Sequence, residues 1–239
     1  PSSEPETRTR ERIEAHPRME GLDLTCDVAT AEPYDWPADG HERFRVLAFD
    51  FGVKKHSLQL LGERGCRVTT VSGAAIPEDI LGMNADGLFL SNGPGDPEAV
   101  GPAIETIRRL AEAGTPIFGI CLGHQLTARA FGGHTYKLLY GHRGGNHPVR
   151  NMDLGTVEIT AQNHGFAVKR GSGADEIADA PALRLTHLNL NDQTVEGLEH
   201  RELPVFSVQY HPEAAPGPHD SLYLFDRFVR EMAKKRGES

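Results

Sequence analysis

Predicted strands and helices alternate between Phe44 and Gly133, and this alternation constrains the fold more than any other feature of the chain. The run RVLAFDF (45–51) is almost continuously apolar, which is typical of a strand buried on both faces. The next strands are predicted at CRVTTVS (66–72), DGLFLS (86–91) and TPIFGI (115–120). The intervening helices are predicted over Lys54–Glu63, from Pro77 to Asn84, over Glu98–Ala113 and over LGHQLTARAF (122–131). This order predicts an α/β fold with an open, mostly parallel sheet that is flanked by helices.

The pattern changes after residue 134, where short apolar segments are separated by glycine, asparagine and proline. Five strands are predicted there: HTYKLLY (134–140), TVEIT (156–160), RLTHLNL (184–190), TVEGLEH (194–200) and PVFSVQY (204–210). An amphipathic helix follows over about His219–Lys235. We therefore expect additional short antiparallel strands in the C-terminal half.

Residues 1–43 differ in composition from the rest of the 239-residue chain. Residues 1–20 are charged and poor in large apolar side chains, so they read as a tail or a short surface helix. Residues 21–43 carry the proline, aspartate and glycine signals of a linker, which Trp36 would anchor to the body. We predict a tail and linker at 1–43 and one domain at 44–239.

The net charge and the cysteine content argue against several classes of protein. The net charge of −9 argues against a nucleic acid partner, which would require a basic surface. No apolar stretch reaches the ~18 residues of a membrane span, and no signal or transit peptide is visible. The three cysteines, Cys26, Cys66 and Cys121, lack the pairing or spacing of a disulfide framework or a zinc site. We expect a cytoplasmic protein.

Cys121 lies in the segment Gly119-Ile120-Cys121-Leu122-Gly123, between a predicted strand and a predicted helix. The pattern G-x-C-x-G is the thiol counterpart of the G-x-S-x-G nucleophile elbow. Small residues two positions before and after the thiol let the strand and helix pack closely, and the helix amides can stabilise an oxyanion. The alternative is a buried structural cysteine, an interpretation that we keep for Cys26 and Cys66.

A thiol nucleophile needs a base, and His211-Pro212-Glu213 directly follows the predicted strand PVFSVQY. The carboxyl ends of strands border the crevice of an open α/β sheet, so His211 is the preferred base. Residues at i and i+2 of an extended segment point the same way, so Glu213 could orient the imidazole. The alternative for this tripeptide is a solvated turn.

Other histidines are weaker candidates. His124 would face the packing side of its helix, with a smaller chance of acting as the base. His142, His147 and His164 lie among glycines and asparagines, so they read as polar loop residues. Their spacing contains no H-E-x-x-H or i, i+4 pair, and we predict no metal site.

The segments FLSNGPGDP, GICLGHQ, GHRGGNHPV, QNHGF and QYHPEA occur in this order, and together they resemble the class I (triad) glutamine amidotransferases. GHRGGNHPV, ITAQNHGFAV and HPEAAPGPHD are more similar to the glutamine-hydrolysing small subunit of carbamoyl-phosphate synthetase. The resemblance covers roughly residues 21–235 and implies a flavodoxin-like sheet. It also implies that the N-terminal domain of that subunit is missing and that residues 1–43 are its remnant.

The resemblance implies hydrolysis of L-glutamine to glutamate and ammonia through a γ-glutamyl thioester. Cys121 would be the nucleophile, His211 the base and Glu213 its orienting group. The oxyanion hole would come from the backbone amides of Leu122 and Gly95. The residues implied to hold glutamine are Gly93, Gly95, Leu122, Gln125, Asn163, Gly165 and Phe166. Without the resemblance, Gln125 would read as a helix-surface amide, and 163–166 equally well as a tight turn with a packed aromatic ring.

The resemblance also implies a partner, a large synthetase subunit that receives the ammonia to make carbamoyl phosphate for arginine and pyrimidine synthesis. The two would form a heterodimer or a higher oligomer of it. The chain contains no G-x-x-x-x-G-K-[ST], so we expect no cofactor here and ATP and magnesium on the large subunit.

Three other functions are compatible with parts of the sequence. The chain could be the amidotransferase of another synthetase, of the GMP, CTP, anthranilate or aminodeoxychorismate type. It could be a regulatory module with the same fold, although such a module would be expected to lack one of Cys121, His211 or Glu213. A cysteine peptidase would explain the elbow but not the HPE segment beside NGPGDP.

Overall fold

The fold is taken from a computed structural model, which describes residues 5–75, 80 and 82–238. The described strands are β1 (Tyr34–Trp36), β2 (Phe44–Asp50), β3 (Cys66–Ser72), β4 (Gly87–Leu90), β5 (Ile117–Ile120), β6 (Thr135–Asn151), β7 (Val157–Val168), β8 (Leu183–Asn189), β9 (Val195–His200) and β10 (Val205–Val208). The described helices are α1 (Glu6–Ala15), α2 (Lys55–Gly62), α3 (Gly101–Glu112), α4 (Leu122–Ala130) and α5 (Tyr223–Lys235). Half of the helix predicted from Pro77 to Asn84, namely 77–79 and 81, lies outside the described residues.

The strands form one sheet in the order β1-β3-β2-β4-β5-β10-β9-β8-β6-β7. The five strands from β3 to β10 in this order are parallel to one another. At the far side β9, β8, β6 and β7 pair antiparallel, and β1 adds an antiparallel edge beside β3. The predicted α/β class, with a mostly parallel sheet and antiparallel strands in the C-terminal half, is confirmed.

Apolar residues cover both faces of the parallel strands, as continuous apolar runs require. On one face, α2 and α5 pack through residues such as Leu58, Leu61 and Phe228. On the other face, α3 and α4 pack through residues such as Ile107 and Leu126. The central strands are therefore held from both sides, which fixes the edge of the sheet where they end.

The pairing of β10 with β5 positions the C-terminal half against the elbow. Val208 pairs with Ile120 in a parallel register, and the amide of Cys121 donates to the carbonyl of Val208 at 2.9 Å. Two strands almost ninety positions apart in sequence therefore end side by side. Residues that follow Val208 emerge at the same edge as Cys121.

The C-terminal hairpin differs from the sequence prediction. β6 has 17 residues and β7 has 12, so GHRGGNHP and AQNHGF are strands, and their interpretation as polar loops or a tight turn is wrong. His142 pairs with His164, between register shifts at Lys137/His142 and Gly144/His147. Bulges of this kind accommodate an irregular, glycine-rich segment in a sheet, and inter-strand pairing supplies its backbone hydrogen bonds.

Two helices begin later than their apolar patterns indicate. α3 begins at Gly101 rather than Glu98, because the Asp96 carboxylate accepts from the amide of Glu98 at 2.9 Å and holds a turn there. α5 begins at Tyr223 rather than His219. Among the residues that the structure describes, no helix is long and apolar enough to cross a membrane.

The segment 1–43 is exposed at its start and docked further along. α1 buries none of its residues. The half-buried Trp36 packs against the core face that α2 covers, as expected of an anchor. Gly21 donates its amide to the carboxylate of Asp96 at 2.8 Å, and the amide of Asp96 donates to the carbonyl of Leu22 at 2.9 Å. The division at residue 43 remains a prediction.

Candidate active site

Cys121 has the backbone of a nucleophile elbow. Its φ is 54° and its ψ is −101°, a combination that a non-glycine residue rarely adopts. Such strain persists only where the surroundings impose it, and it concentrates at functional sites. The turn places the thiol between the end of β5 and the first residue of α4.

The two glycines of the G-x-C-x-G pattern are required by packing. A Cβ on Gly119 would lie 2.7 Å from the carbonyl oxygen of Gly123. A Cβ on Gly123 would lie 2.4 Å from the carbonyl oxygen of Leu90 on β4. Both distances are far below any carbon–oxygen contact, so only glycine permits this approach of helix and strands.

His211 and Glu213 lie where β10 ends, at the same edge as Cys121. The imidazole Nδ1 of His211 donates to Oε1 of Glu213 at 2.7 Å. Both residues are buried, at 5% and 1% exposure. No described protein atom hydrogen-bonds His211 Nε2, which leaves that nitrogen free for the thiol or a substrate. The solvated-turn interpretation of the tripeptide does not fit this burial.

The charges of this group reinforce one another. Burial disfavours the charged form of His211, but the Glu213 carboxylate and the Cys121 thiolate outweigh it and raise the pKa of His211 to about 10. Burial also disfavours ionised Glu213, yet the His211 imidazolium and the Lys54 ammonium lower the pKa of Glu213 to about 2. The Glu213 carboxylate therefore stabilises the imidazolium form of His211.

Lys54 belongs to the site, and the sequence analysis did not single it out. Its Nζ lies 2.9 Å from Oε1 of Glu213 and 3.1 Å from Nδ1 of His211. It follows β2 at the carboxyl edge of the sheet, so the strand-end rule that selected His211 could also have selected Lys54. The side chain remains 44% exposed, so its charge is partly screened by solvent.

A cleft of ≈ 390 Å³ opens above Cys121 and His211. Six of the seven residues predicted to hold glutamine line it: Gly93, Gly95, Gln125, Asn163, Gly165 and Phe166. The side chain of the seventh, Leu122, is buried among the core residues beneath the cleft. Its backbone amide is the first of α4, a position with no intrahelical acceptor.

Gln125 is buried, so its interpretation as a helix-surface amide is wrong. Its Nε2 donates to the carbonyl of Phe166 at 2.9 Å and to Oε1 of Gln209 at 3.0 Å. These bonds tie α4 to β7 at the floor of the cleft. Gln125 therefore fixes the position of Phe166 in addition to lining the cleft.

The glycine turn after β4 lines the same cleft as Cys121. A Cβ on Gly93 would lie 2.3 Å from the carbonyl oxygen of Phe51. Gly95 has a φ of 99°, and a Cβ there would lie 2.8 Å from the carbonyl oxygen of Leu22. The docked segment 21–24 therefore supports the turn from outside, which the linker interpretation did not anticipate.

Met19, Val28 and Arg143 also line the cleft, and none was predicted. The first two come from the segment that reads as a linker, where no sequence signal identifies a wall of a site. The Arg143 guanidinium donates to the carbonyl of His142 at 2.7 Å and to the carbonyl of His164. The basic side chain of Arg143 within GHRGGN is the one sequence signal that could have indicated a contact for the carboxylate of a substrate.

His124 has the packing role that the sequence indicates. It is fully buried, and its Nδ1 lies 3.0 Å from the hydroxyl of Ser207 on β10. Burial lowers the pKa of His124 to about 3, so the ring is neutral in the folded protein. His164 also lines the cleft, and it lies close to His142 and Glu196.

Known proteins share both the sequence and the fold. Residues 47–231 match the model of the family "Glutamine amidotransferase class-I". The chain is 54% identical over 238 residues to a carbamoyl phosphate synthase small chain of Syntrophotalea carbinolica, an alignment covering 95% of this chain and 61% of that one. It is 55% identical over 223 residues to the corresponding chain of Chlorobaculum tepidum, with 92% and 59% covered.

A solved glutamine amidotransferase of Thermotoga maritima has the same fold, with a TM-score of 0.59 at 14% identity over 83% of this chain and 100% of that chain. The chain spans about 60% of the length of the curated relatives that it matches. The family match covers most of the described sheet, from β2 to α5, and includes the elbow and the His-Pro-Glu segment. The chain belongs to the class-I glutamine amidotransferase family.

Proposed function

We propose that the chain hydrolyses L-glutamine to glutamate and ammonia. One observation carries the proposal. The elbow thiol of Cys121 and the imidazole of His211 line one cleft, and Glu213 holds the far nitrogen of that imidazole. This is the arrangement of a nucleophile, a base and an orienting carboxylate.

The reaction proceeds in two steps. The sulfur of Cys121 attacks the side-chain amide carbon of glutamine, and its proton passes to Nε2 of His211. The tetrahedral intermediate collapses to a γ-glutamyl thioester as His211 protonates the departing ammonia. His211 then takes a proton from water, which attacks the thioester and releases glutamate.

The cleft supplies the binding and the charge stabilisation. The amides of Leu122 and Gly95 donate to the oxyanion, since Leu122 is the first residue of α4 and Gly95 lines the same cleft as Cys121. Gly93, Gln125, Asn163, Gly165 and Phe166 form the walls that hold glutamine. The substrate is small and polar, which suits a cleft lined by amides, backbone and one aromatic ring.

We further propose that the whole protein is the small chain of a carbamoyl-phosphate synthase, acting in the cytoplasm. Relatives of this name at 54% and 55% identity support the assignment. A large subunit would bind ATP and magnesium and consume the ammonia before it is lost. The three cysteines are free, as suits a thiol enzyme in a reducing compartment.

The first test replaces the nucleophile. We expect Cys121→Ser to abolish glutamine hydrolysis by the chain and glutamine-dependent synthesis in a complex reconstituted with a large subunit. Ammonia-dependent synthesis by the same complex should remain, and co-elution of the variant with the large subunit shows that it folds and docks. Glutamine turnover by the variant would contradict the assignment of the nucleophile.

The second test uses a glutamine analogue that carries an electrophile, followed by mass spectrometry. We expect one adduct at Cys121 and none at Cys26 or Cys66. Cys26 is exposed, so its interpretation as a buried structural cysteine is wrong, and it serves as an internal control for non-specific alkylation. Burial raises the pKa of Cys66 to about 12, which keeps that thiol unreactive. Labelling of Cys26 instead of Cys121 would refute the proposed site.

A further inference from the structure

Three buried side chains from three strands converge beside the cleft. His142 comes from β6, His164 from β7 and Glu196 from β9, and one nitrogen or oxygen atom of each lies within 4.8 Å of the others. Their exposures are 8%, 5% and 0%. None of the three has a role in the proposed hydrolysis, so their convergence needs another explanation.

The two imidazoles are oriented by their outer nitrogens. His142 donates from Nε2 to the carboxylate of Asp192 at 2.8 Å, and His164 donates from Nδ1 to the carbonyl of Phe166 at 2.7 Å. The inner nitrogens are Nδ1 of His142 and Nε2 of His164. Neither has a hydrogen-bond partner among the described residues, although both are buried. In neutral imidazoles oriented this way, both inner nitrogens present lone pairs.

The carboxylate between them is also held in place. Asn189 donates to Oε1 of Glu196 at 2.7 Å, and Gln162 donates to Oε2 at 2.9 Å. Oε1 also lies 3.4 Å from Nδ1 of His142. Two lone pairs and a carboxylate therefore share one buried space, which stabilises a positive charge placed among them.

This arrangement matches the requirements of a divalent transition metal ion. Imidazole and carboxylate bind zinc at ~2.0–2.2 Å, so two ligand atoms of a tetrahedral site are about 3.3 Å apart. The His142–Glu196 separation of 3.4 Å has this value, and His164 needs a small movement to join them. The bonds to Asp192 and to the carbonyl of Phe166 are the outer contacts that metal-binding histidines make.

We propose that His142, His164 and Glu196 form a binding site for a divalent transition metal ion of the zinc type. This replaces the expectation from sequence spacing that no metal is bound, because the three ligands come from different strands. A bound ion would join the β6–β7 hairpin to β9. His164 lies between Asn163 and Gly165 of the cleft, so the ion would also hold this wall of the cleft.

A proton is the competing occupant of this space. The Glu196 and Asp192 carboxylates outweigh the effect of burial and raise the pKa of His142. A protonated His142 would satisfy Glu196 without a metal. The ring centroid of the neighbouring His147 lies 5.1 Å from that of His142. The experiment must therefore distinguish a metal ion from a proton.

The test uses the tag-free chain with Cys121→Ala, because thiolates bind Zn²⁺ and Co²⁺ and the thiol of Cys121 would compete with the proposed site. Co²⁺ is titrated and followed by its visible absorption, and Zn²⁺ is followed by equilibrium dialysis and thermal unfolding. We expect one ion per chain, the absorption of tetrahedral nitrogen and oxygen ligation without a sulfur charge-transfer band, and a higher unfolding temperature with Zn²⁺.

Two variants and a matched control identify the ligands. His142→Asn and Glu196→Gln should each weaken Zn²⁺ binding at least 100-fold and remove the Co²⁺ spectrum. His134→Asn should change neither, because His134 is an exposed histidine that pairs with Asp179. Circular dichroism and melting without metal show whether each variant folds. If Glu196→Gln does not fold, the His142→Asn variant alone tests the proposal.

Three results would overturn the proposal. The first is less than one ion in ten chains at saturating Zn²⁺, which would leave a proton as the occupant. The second is equal Zn²⁺ affinity in the His142→Asn and His134→Asn variants. The third is a Co²⁺ spectrum that survives in every folded variant of His142 and Glu196.

Discussion

Gly123→Ala should damage both stability and catalysis through one steric contact. The added Cβ would meet the carbonyl oxygen, the Cβ and the carbonyl carbon of Leu90 at 2.4, 2.6 and 2.8 Å. Ordinary contacts begin near 3.4 Å, so α4 must move away from β4 by roughly 1 Å. The atoms of Leu90 that the added Cβ would meet belong to the backbone or to a buried side chain, so they cannot rotate away.

The magnitude follows from this displacement. Overpacking of a buried contact costs about 1–3 kcal/mol of the free energy of unfolding. For a chain of this size that lowers the unfolding temperature by roughly 2–12 °C. The same movement carries the thiol of Cys121 away from His211, and a shift of about 1 Å can cost ~100-fold in rate.

Gly101→Ala is the matched control. A Cβ on Gly101 at the start of α3 meets nothing within 4 Å. Both variants remove the same backbone freedom from the unfolded chain, so their difference reports the steric contact. Thermal unfolding and glutamine hydrolysis are measured for both. The reasoning is refuted if Gly123→Ala melts and hydrolyses glutamine as Gly101→Ala does.

Two further changes test the electrostatics. Lys54→Met should lower kcat/KM for glutamine only about 2–5-fold, because solvent screens the half-exposed ammonium. The same change should shift the acid limb of the pH–rate profile to higher pH. Lys55→Met is the exposed control, and a loss above 100-fold would show a larger role for Lys54. The pKa of His124 in the folded chain is about 3, so below pH 6.5 the unfolded chain binds a proton that the folded chain does not. The free energy of unfolding therefore falls as the pH is lowered from 6.5 to 4.5. His124→Gln should reduce that fall by about 2–3 kcal/mol in urea unfolding, and an unchanged fall would refute the argument.

The strands of the parallel sheet were predictable because each one is buried on both faces. A continuous apolar run such as RVLAFDF has no other stable location in a soluble α/β domain, and Cys66–Ser72 was predicted with its observed bounds. The elbow was predictable for a similar reason. Gly119 is imposed by its close approach to Gly123, which is local in sequence, and Gly123 by its approach to Leu90 on the neighbouring strand β4.

The C-terminal hairpin was not predictable from local pattern. Glycine, histidine and asparagine in GHRGGNHP and AQNHGF indicate loops, but their backbones pair with each other over long strands. That pairing is a contact between distant segments, and it overrides the local preference of the residues. The same pairing aligns His142 with His164, which no spacing rule detects.

The sequence by itself determined the chemistry of the candidate site: a thiol on a strained turn, and an imidazole and a carboxylate two positions apart after a strand. Both follow from backbone geometry over a few residues. Only the tertiary structure decided which groups meet. The insertion of β10 beside β5 brings His211 to Cys121, the end of β2 adds Lys54, and the docked N-terminal segment supports Gly95. The reason is physical: sheet order and long-range docking depend on burying whole faces, and no short window of sequence contains that information.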